Sequence, residues 1–189
     1  MAAGIVEYTT LKSLSIGTLF GVVAIEETAK LIIPLFIFVY SRYRTRIDGL
    51  LFGVASGMGF AALETMGYGL VALIVSQGNI GVLEEVLLVR GLLSPVGHAA
   101  WTGIVCAVLW GTREKYGKTF NFRVVLVFII AIILHALWDF AGTSSSNVIT
   151  YTGYVIIGGV SLFLLIWQLI LARRSSPGIQ QPVGSPQPK

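Results

Sequence analysis

The sequence predicts an all-α fold, a polytopic transmembrane bundle of about five spans with one additional interfacial amphipathic helix. Of its 189 residues, 55% are hydrophobic and only 12% are charged, and the mean hydropathy is +0.83. A typical water-soluble domain has about 25% charged residues. The apolar residues also form runs of about twenty, which is the length that crosses a hydrocarbon core of about 30 Å.

Hydropathy places the five spans in order along the chain, at residues 14–40, 49–75, 96–111, 124–141 and 149–172. The first span contains Pro34, where a helix can kink. Between the second and third spans, residues 79–93 predict the interfacial helix, with Glu84 and Glu85 on a solvated face and Arg90 beyond them. Residues 1–174 then form one transmembrane domain. Residues 175–189 are rich in Pro, Gln, Ser and Gly and predict a disordered cytoplasmic tail.

The charge distribution predicts a multi-pass protein of the cell membrane. The net charge of +4 comes from Arg and Lys in the loops, so we expect contact with a lipid bilayer and no binding of nucleic acid. Loops 41–48 and 112–123 and the end of the last span hold most of the basic residues. By the positive-inside rule the N-terminus lies outside, the C-terminus lies in the cytoplasm, and the chain crosses five times.

Small residues indicate how the spans pack. Gly49, Gly53 and Gly57 recur every fourth residue of the second span, which predicts a face that lets a neighbouring helix approach closely. The single cysteine, Cys106, lies in an apolar run. It excludes an intrachain disulfide and predicts a small buried side chain.

Seven ionisable side chains fall inside the predicted spans. A charged group at the bilayer centre costs roughly 3 kcal/mol or more, so such residues are rare and usually functional. They are Glu26, Glu27, Lys30, Glu64, His98, His135 and Asp139. Four acids face only one lysine, so these groups must cluster, share protons or contact water.

The spacing of these residues permits clustering. Glu26 and Lys30 are four residues apart and share a helix face, while Glu27 lies about 100° around and still reaches Lys30. His135 and Asp139 are also four apart, so the carboxylate can orient the imidazole. Each group alone also has a structural interpretation as a buried salt bridge, a hydrogen-bonded acid or a helix cap. Together they favour a functional site.

This combination of groups matches the needs of peptide-bond hydrolysis. The reaction requires a base to activate water, a donor for the oxyanion and an acid for the leaving amine. Glutamates and histidines supply all three roles without a cofactor. Two histidines and a glutamate also match a catalytic zinc set, so a metallopeptidase stays open as an alternative.

Other classes of membrane protein fit the residues less well. The zinc motif HExxH is absent, and a paired-aspartate mechanism fails because Asp139 is the only aspartate inside a span. A serine-protease motif GxSG around Ser56 fails because Val54 stands at the first glycine. A proton-coupled transporter would show inverted repeats, which are not evident. A non-catalytic scaffold stays open.

Four motifs in order resemble one family. EExxK occurs at residues 26–30 and GFAxxE at residues 59–64, and two histidine motifs, HAAWT and HALWD, occupy residues 98–102 and 135–139. Over residues 20–145 the chain resembles the PrsW family of intramembrane proteases, which is distantly similar to the CAAX-processing/Abi proteases.

The resemblance implies an intramembrane endopeptidase of a bacterial or archaeal membrane, of glutamic type. Its expected substrate is a single-pass membrane protein, such as a membrane-tethered anti-sigma factor, cut near its extracytoplasmic end. By position, Glu26 and Glu27 would activate the water. The site would be completed by Glu64, His98 and His135. Asp139 stands where the Abi motif has Asn and would orient His135.

Overall fold

The computed structural model describes residues 16–117 and 121–175, and every regular element in these ranges is helical. This confirms the all-α fold class. The helices are α1 (Ile16–Tyr40), α2 (Arg46–Val75), α3 (Ile80–Leu93), α4 (His98–Tyr116), α5 (Phe122–Gly142) and α6 (Asn147–Ser175), with a 3-10 turn, Ser94–Val96, between α3 and α4. The predicted disordered tail lies outside the described residues, apart from Ser175, which ends α6.

Four helical stretches of the described residues are long and apolar enough to cross a membrane. They are Arg46–Val75, Ile80–Tyr116, Phe122–Gly142 and Asn147–Arg174. The fifth predicted span, α1, has 25 residues, which is about 37 Å of helix. It differs from the others because three charged residues lie at its middle. A polytopic helical bundle is thus confirmed, and a crossing by α1 stays a prediction.

The segment predicted to be an interfacial helix is α3, which packs along α2. The side chain of Asn79 caps its N-terminus by accepting a hydrogen bond from the Val82 amide. One turn further on, Val86 is fully buried against Ala72 of α2. The 3-10 turn then leads directly into α4, so α3 and α4 form one helical stretch of 37 residues. The position of α3 at a membrane interface stays a prediction.

The charged residues of α3 do not share one solvated face. Glu84 is exposed, as predicted, and Glu85 is partly buried. Arg90 turns inward, where only 16% of its side chain is exposed, because it meets the carboxylate of Glu64 on α2. The guanidinium is therefore part of the buried polar network and not only an interfacial charge.

The closest helix contact in the bundle joins α2 to α4 through the glycine face of α2. A Cβ atom on Gly53 would lie 2.5 Å from the Thr102 carbonyl oxygen, and one on Gly49 would lie 2.5 Å from that of Cys106. A Cβ atom on Gly57 would meet the backbone of His98. The predicted close approach is therefore present, and most of α4 is buried. Cys106 is buried in this core, as predicted.

The end of α1 is joined to α4 at the opposite end of the bundle from His98. Arg113 of α4 donates hydrogen bonds to the carbonyl groups of Phe38 and Tyr43. Its guanidinium also lies 3.8 Å from the centre of the Phe38 ring. The bond to Phe38 satisfies a carbonyl that the end of α1 leaves without an intrahelical partner, and the bond to Tyr43 holds the loop that follows. They fix where α1 ends relative to the glycine contact.

Replacing Gly53 with alanine is expected to destabilise the fold. The new methyl group would meet backbone atoms of α4, which cannot move away as a flexible side chain can. Overpacking of this kind costs about 1–3 kcal/mol. Unfolding of the purified protein in detergent, followed by circular dichroism, measures the loss.

Gly67→Ala is the matched control, because nothing lies within 4 Å of a Cβ atom at Gly67 of the same helix. It should unfold like the unmodified chain. An equally stable Gly53→Ala variant would contradict the close α2–α4 contact.

Candidate functional site

The position of Lys30 in the site is fixed by a proline one turn further along α1. Pro34 has no N–H, so it cannot donate the usual helical hydrogen bond to the carbonyl of Lys30. The hydroxyl of Ser56 on α2 donates to that carbonyl instead, at 2.6 Å. The backbone at Lys30 is therefore bonded directly to α2. The Ser56 hydroxyl thus takes the place of the missing amide proton of residue 34.

The centre of the site is the carboxylate of Glu27. Its Oε1 accepts a hydrogen bond from Lys30 Nζ at 2.6 Å and lies 2.8 Å from His135 Nδ1. At most 2% of each of these three side chains is exposed. Of the two glutamates that the sequence places within reach of Lys30, Glu27 is the one that pairs with it among the described residues. Glu26 is directed instead towards His135 of α5.

From Lys30 the network continues across α4 to α2 and α3. Lys30 Nζ lies 2.8 Å from His98 Nδ1. His98 Nε2 lies 2.9 Å from Glu64 Oε2, and that same oxygen lies 3.0 Å from Arg90 Nη2. The polar side chains therefore form one continuous chain that links helices α1 to α5.

The partners of each imidazole determine its tautomer. An ammonium group only donates, so His98 Nδ1 accepts from Lys30, and the ring proton lies on Nε2, facing Glu64. The carboxylate of Glu27 only accepts, so His135 carries its proton on Nδ1. In neutral His135, Nε2 is then a bare lone pair. The two histidines thus have opposite tautomers.

The bare nitrogen of His135 faces two carboxylates. Glu26 Oε2 and Asp139 Oδ2 each lie 3.6 Å from His135 Nε2, which is longer than a direct hydrogen bond. The side chain of Glu26 is 24% exposed and that of Asp139 is 18% exposed, against 2% for His135. Glu26 is therefore the most exposed side chain of the network, whereas Asp139 and Glu64 are equally exposed, at 18% each.

Aromatic rings hold the imidazoles in place. The Trp101 ring stacks on His135 with a centroid distance of 4.8 Å and an interplanar angle of 27°. Its indole N–H donates to Ser161 of α6 at 2.8 Å. Beneath the lysine, the Phe60 ring lies 4.6 Å from Lys30 Nζ. Because the bond to Ser161 of α6 holds the Trp101 ring in place, the ring restricts rotation of the His135 imidazole stacked on it.

All six residues predicted from the sequence as site residues lie in this one network. They are Glu26, Glu27, Glu64, His98, His135 and Asp139. Sequence analysis missed Arg90 and Trp101. The signal for Arg90 was the excess of acids, which called for a second cation. Trp101 lies three residues after His98, one helical turn along the same face.

The donor set also includes a possible metal site. One donor atom from each of Glu27, His98 and His135 lies within 4.8 Å of the others. A carboxylate and two imidazoles are ligands that zinc prefers. Lys30 Nζ lies within hydrogen-bond distance of two of these three side chains, however. A metal held by the same atoms of Glu27 and His98 would have to replace this ammonium group.

Comparison with known proteins gives two matches. The family model described as "PrsW family intramembrane metalloprotease" matches residues 2–169. The "Protease PrsW" of Halalkalibacterium halodurans is 26% identical over 141 residues, which cover 74% of this chain and 58% of that protein. The chain thus matches less than two thirds of its curated relative. No solved structure is significantly similar to it.

The link between Pro34 and Ser56 predicts a compensating pair of substitutions. Ser56→Ala should destabilise the protein by about 1–3 kcal/mol, because it leaves the Lys30 carbonyl without a donor. In the double variant Pro34→Ala/Ser56→Ala, the amide of residue 34 can donate to Lys30 again, so part of the loss should return. Unfolding of the single and double variants in detergent measures both. Equal losses for Ser56→Ala and the double variant would contradict this arrangement.

Proposed function

Because this chain belongs to the PrsW family, which confirms the resemblance of its four motifs, we propose that it is a membrane-embedded endopeptidase. It hydrolyses a peptide bond of a membrane protein inside the bilayer. The observation that carries the proposal is the pair of carboxylates, Glu26 and Asp139, that flank His135 Nε2. The mechanism we favour is of glutamic type.

Glu26 is the residue that we assign as general base. Oε1 of Glu27 already accepts from Lys30 and faces the Nδ1 proton of His135, and its side chain is 2% exposed. Glu26 has a larger exposed fraction, and no lysine lies within ion-pair distance of it among the described residues. Glu27 then acts by holding His135 in the tautomer that directs a lone pair towards the water.

The chemistry follows from this division of roles. A water molecule beside Glu26 and His135 Nε2 loses a proton to the Glu26 carboxylate as its oxygen bonds to the carbonyl carbon of the substrate. The carbonyl oxygen becomes an oxyanion. The tetrahedral intermediate expels the amine as the C–N bond breaks, and Glu26 returns the proton to the leaving nitrogen. Asp139 lies 3.6 Å from His135 Nε2, so it orients this imidazole through an intervening water.

The remaining two predicted site residues belong to the other half of the network. Glu64 and His98 lie 2.9 Å apart, and His98 connects to Glu27 through Lys30. The His98 ring also meets the His135 ring edge-on, with a centroid distance of 4.9 Å. His98 fixes the position of the lysine, and Glu64 fixes that of His98.

The substrate that we propose is a single-pass membrane protein, such as a membrane-tethered anti-sigma factor. The arguments are the family, the apolar helices and a site buried among them. We also propose that the N-terminus lies outside and the C-terminus in the cytoplasm, from the distribution of Arg and Lys between loops. The cut would then fall near the extracytoplasmic end of the substrate.

Glu26→Gln should abolish cleavage and leave folding intact. The amide is nearly the same size as the carboxylate but cannot accept a proton, and loss of a general base lowers the rate about 10²- to 10⁴-fold. The assay uses the purified chain in liposomes with a panel of single-pass reporter proteins, and mass spectrometry identifies the fragments.

Glu84→Gln is the control, because Glu84 is an exposed acid of α3 away from the network. It should cleave at the unmodified rate. Undiminished turnover by Glu26→Gln would reject the glutamic mechanism and favour a metal-dependent one. Absence of cleavage by the unmodified chain, with every reporter, would favour a non-catalytic scaffold.

A metallopeptidase is the second candidate, favoured by the family description and by the three clustered donors. The metal would be held by Glu27, His98 and His135, and when bound it would polarise the substrate carbonyl and activate water. The contacts of Lys30 with Glu27 and His98 weigh against this arrangement.

Metal analysis separates the two candidates. In the glutamic mechanism, purified active protein contains much less than one zinc per chain, and a chelator does not reduce cleavage. Mass spectrometry of the metal content and the reporter assay measure both. Stoichiometric zinc, lost together with activity on chelation and restored with it, would reject the glutamic mechanism.

A further inference from the structure

The guanidinium of Arg90 packs against one face of α2. Glu64 and Tyr68 are one helical turn apart on that face. Arg90 Nη2 lies 3.0 Å from Glu64 Oε2, and the guanidinium carbon lies 3.8 Å from the centre of the Tyr68 ring. A carboxylate together with a ring face binds a planar guanidinium better than a compact ammonium. None of the four sequence motifs includes Arg90.

Arg90 is also connected to the start of α4. The hydroxyl of Ser94, in the 3-10 turn, donates to the carbonyl of Arg90 at 2.7 Å. Gly97 follows the turn, and His98 is the first residue of α4. The segment that carries Arg90 therefore also helps to set the position of His98.

The charged groups of the network form two ion pairs and a further pair of carboxylates. Each cation contacts one carboxylate, since Lys30 pairs with Glu27 and Arg90 with Glu64. The other two carboxylates both face His135 Nε2.

We propose that Arg90 is a positioning residue of this site. It holds the Glu64 carboxylate against His98, and this contact fixes the Nε2–H tautomer and the ring orientation of that histidine. With its Nδ1 lone pair directed at Lys30, His98 keeps the ammonium group on Glu27. The catalytic meaning of Arg90 rests on the proposed peptidase function, but its effect on His98 does not.

A spectroscopic experiment tests the effect on His98 without any substrate. The chain has only two histidines, so labelling with [15N]histidine gives one pair of imidazole nitrogens for His98 and one for His135. Spectra are recorded in nanodiscs after chelator treatment. We expect an Nε2–H signal for His98 and an Nδ1–H signal for His135. In Arg90→Gln the His98 signals should shift or broaden, and those of His135, whose ring meets His98 edge-on at a centroid distance of 4.9 Å, should change less.

The controls keep the experiment decisive. Glu84→Gln changes another charged residue of α3 and should leave both pairs of signals unchanged. Arg90→Lys keeps the charge without the planar fork and should partly restore the His98 signals.

If Arg90→Gln does not fold, Glu64→Gln/Arg90→Gln removes both charges and leaves neither buried alone. This double variant should also lose the His98 signal of the unmodified protein. Unchanged His98 signals in the folded variants would overturn the inference.

The reporter assay adds a kinetic test. In Arg90→Gln we expect kcat to fall roughly 10- to 100-fold, as for other residues that orient a reacting group, with KM nearly unchanged. A purely structural role would lower the amount of folded enzyme and not its kcat. If the unmodified chain cleaves nothing while Arg90→Gln still changes the His98 signals, the proposed function fails and the positioning role stands. If cleavage by Arg90→Gln is normal, the positioning role fails alone.

Discussion

The ammonium group of Lys30 is the point on which the polar interior depends. It lies within hydrogen-bond distance of Glu27 on one side and of His98 on the other, with no exposed surface of its own. A lone cation at this depth would be very costly, and so would the carboxylate without it. Since the two groups satisfy each other, helices α1 to α5 can pack around them without leaving either charge buried alone. The backbone of the same residue is bonded to α2 through Ser56. Lys30 is thus fixed at both its ends.

Two adjacent residues of α1 have different chemical roles in this arrangement. Glu26 and Glu27 are neighbours in sequence and differ about 100° in direction around α1. Oε1 of Glu27 contacts both Lys30 and His135, whereas Glu26, with the larger exposed fraction, faces the other nitrogen of His135. A helix therefore provides two different carboxylates at one depth without any irregularity in its backbone.

Much of the fold and the membership of the site were predictable from the sequence, because both follow from solvation. Twenty-residue apolar runs and the glycine spacing of α2 need only the thickness of a membrane and the size of a side chain. The convergence of six ionisable residues follows from the cost of leaving any of them alone. Which groups contact each other did not follow, since it depends on the rotation of each helix. For that reason the sequence predicts that both Glu26 and Glu27 can reach Lys30 but not which of them bonds to it. The sequence also does not specify which face of α3 turns towards Glu64, so it predicts Arg90 only as part of an interfacial helix.

The glycine contact between α2 and α4 has a consequence for how mutations in this protein are interpreted. His98 begins α4, and its backbone lies directly on Gly57. Any side chain placed at Gly57 would therefore push the imidazole out of register with Glu64 and Lys30, although residue 57 has no group that reacts. In a deep mutational scan scored by cleavage, Gly57 would be indistinguishable from a residue that takes part in bond breaking. Only a separate score for folded protein would show that such a mutation acts by changing the distance between the backbones of α2 and α4.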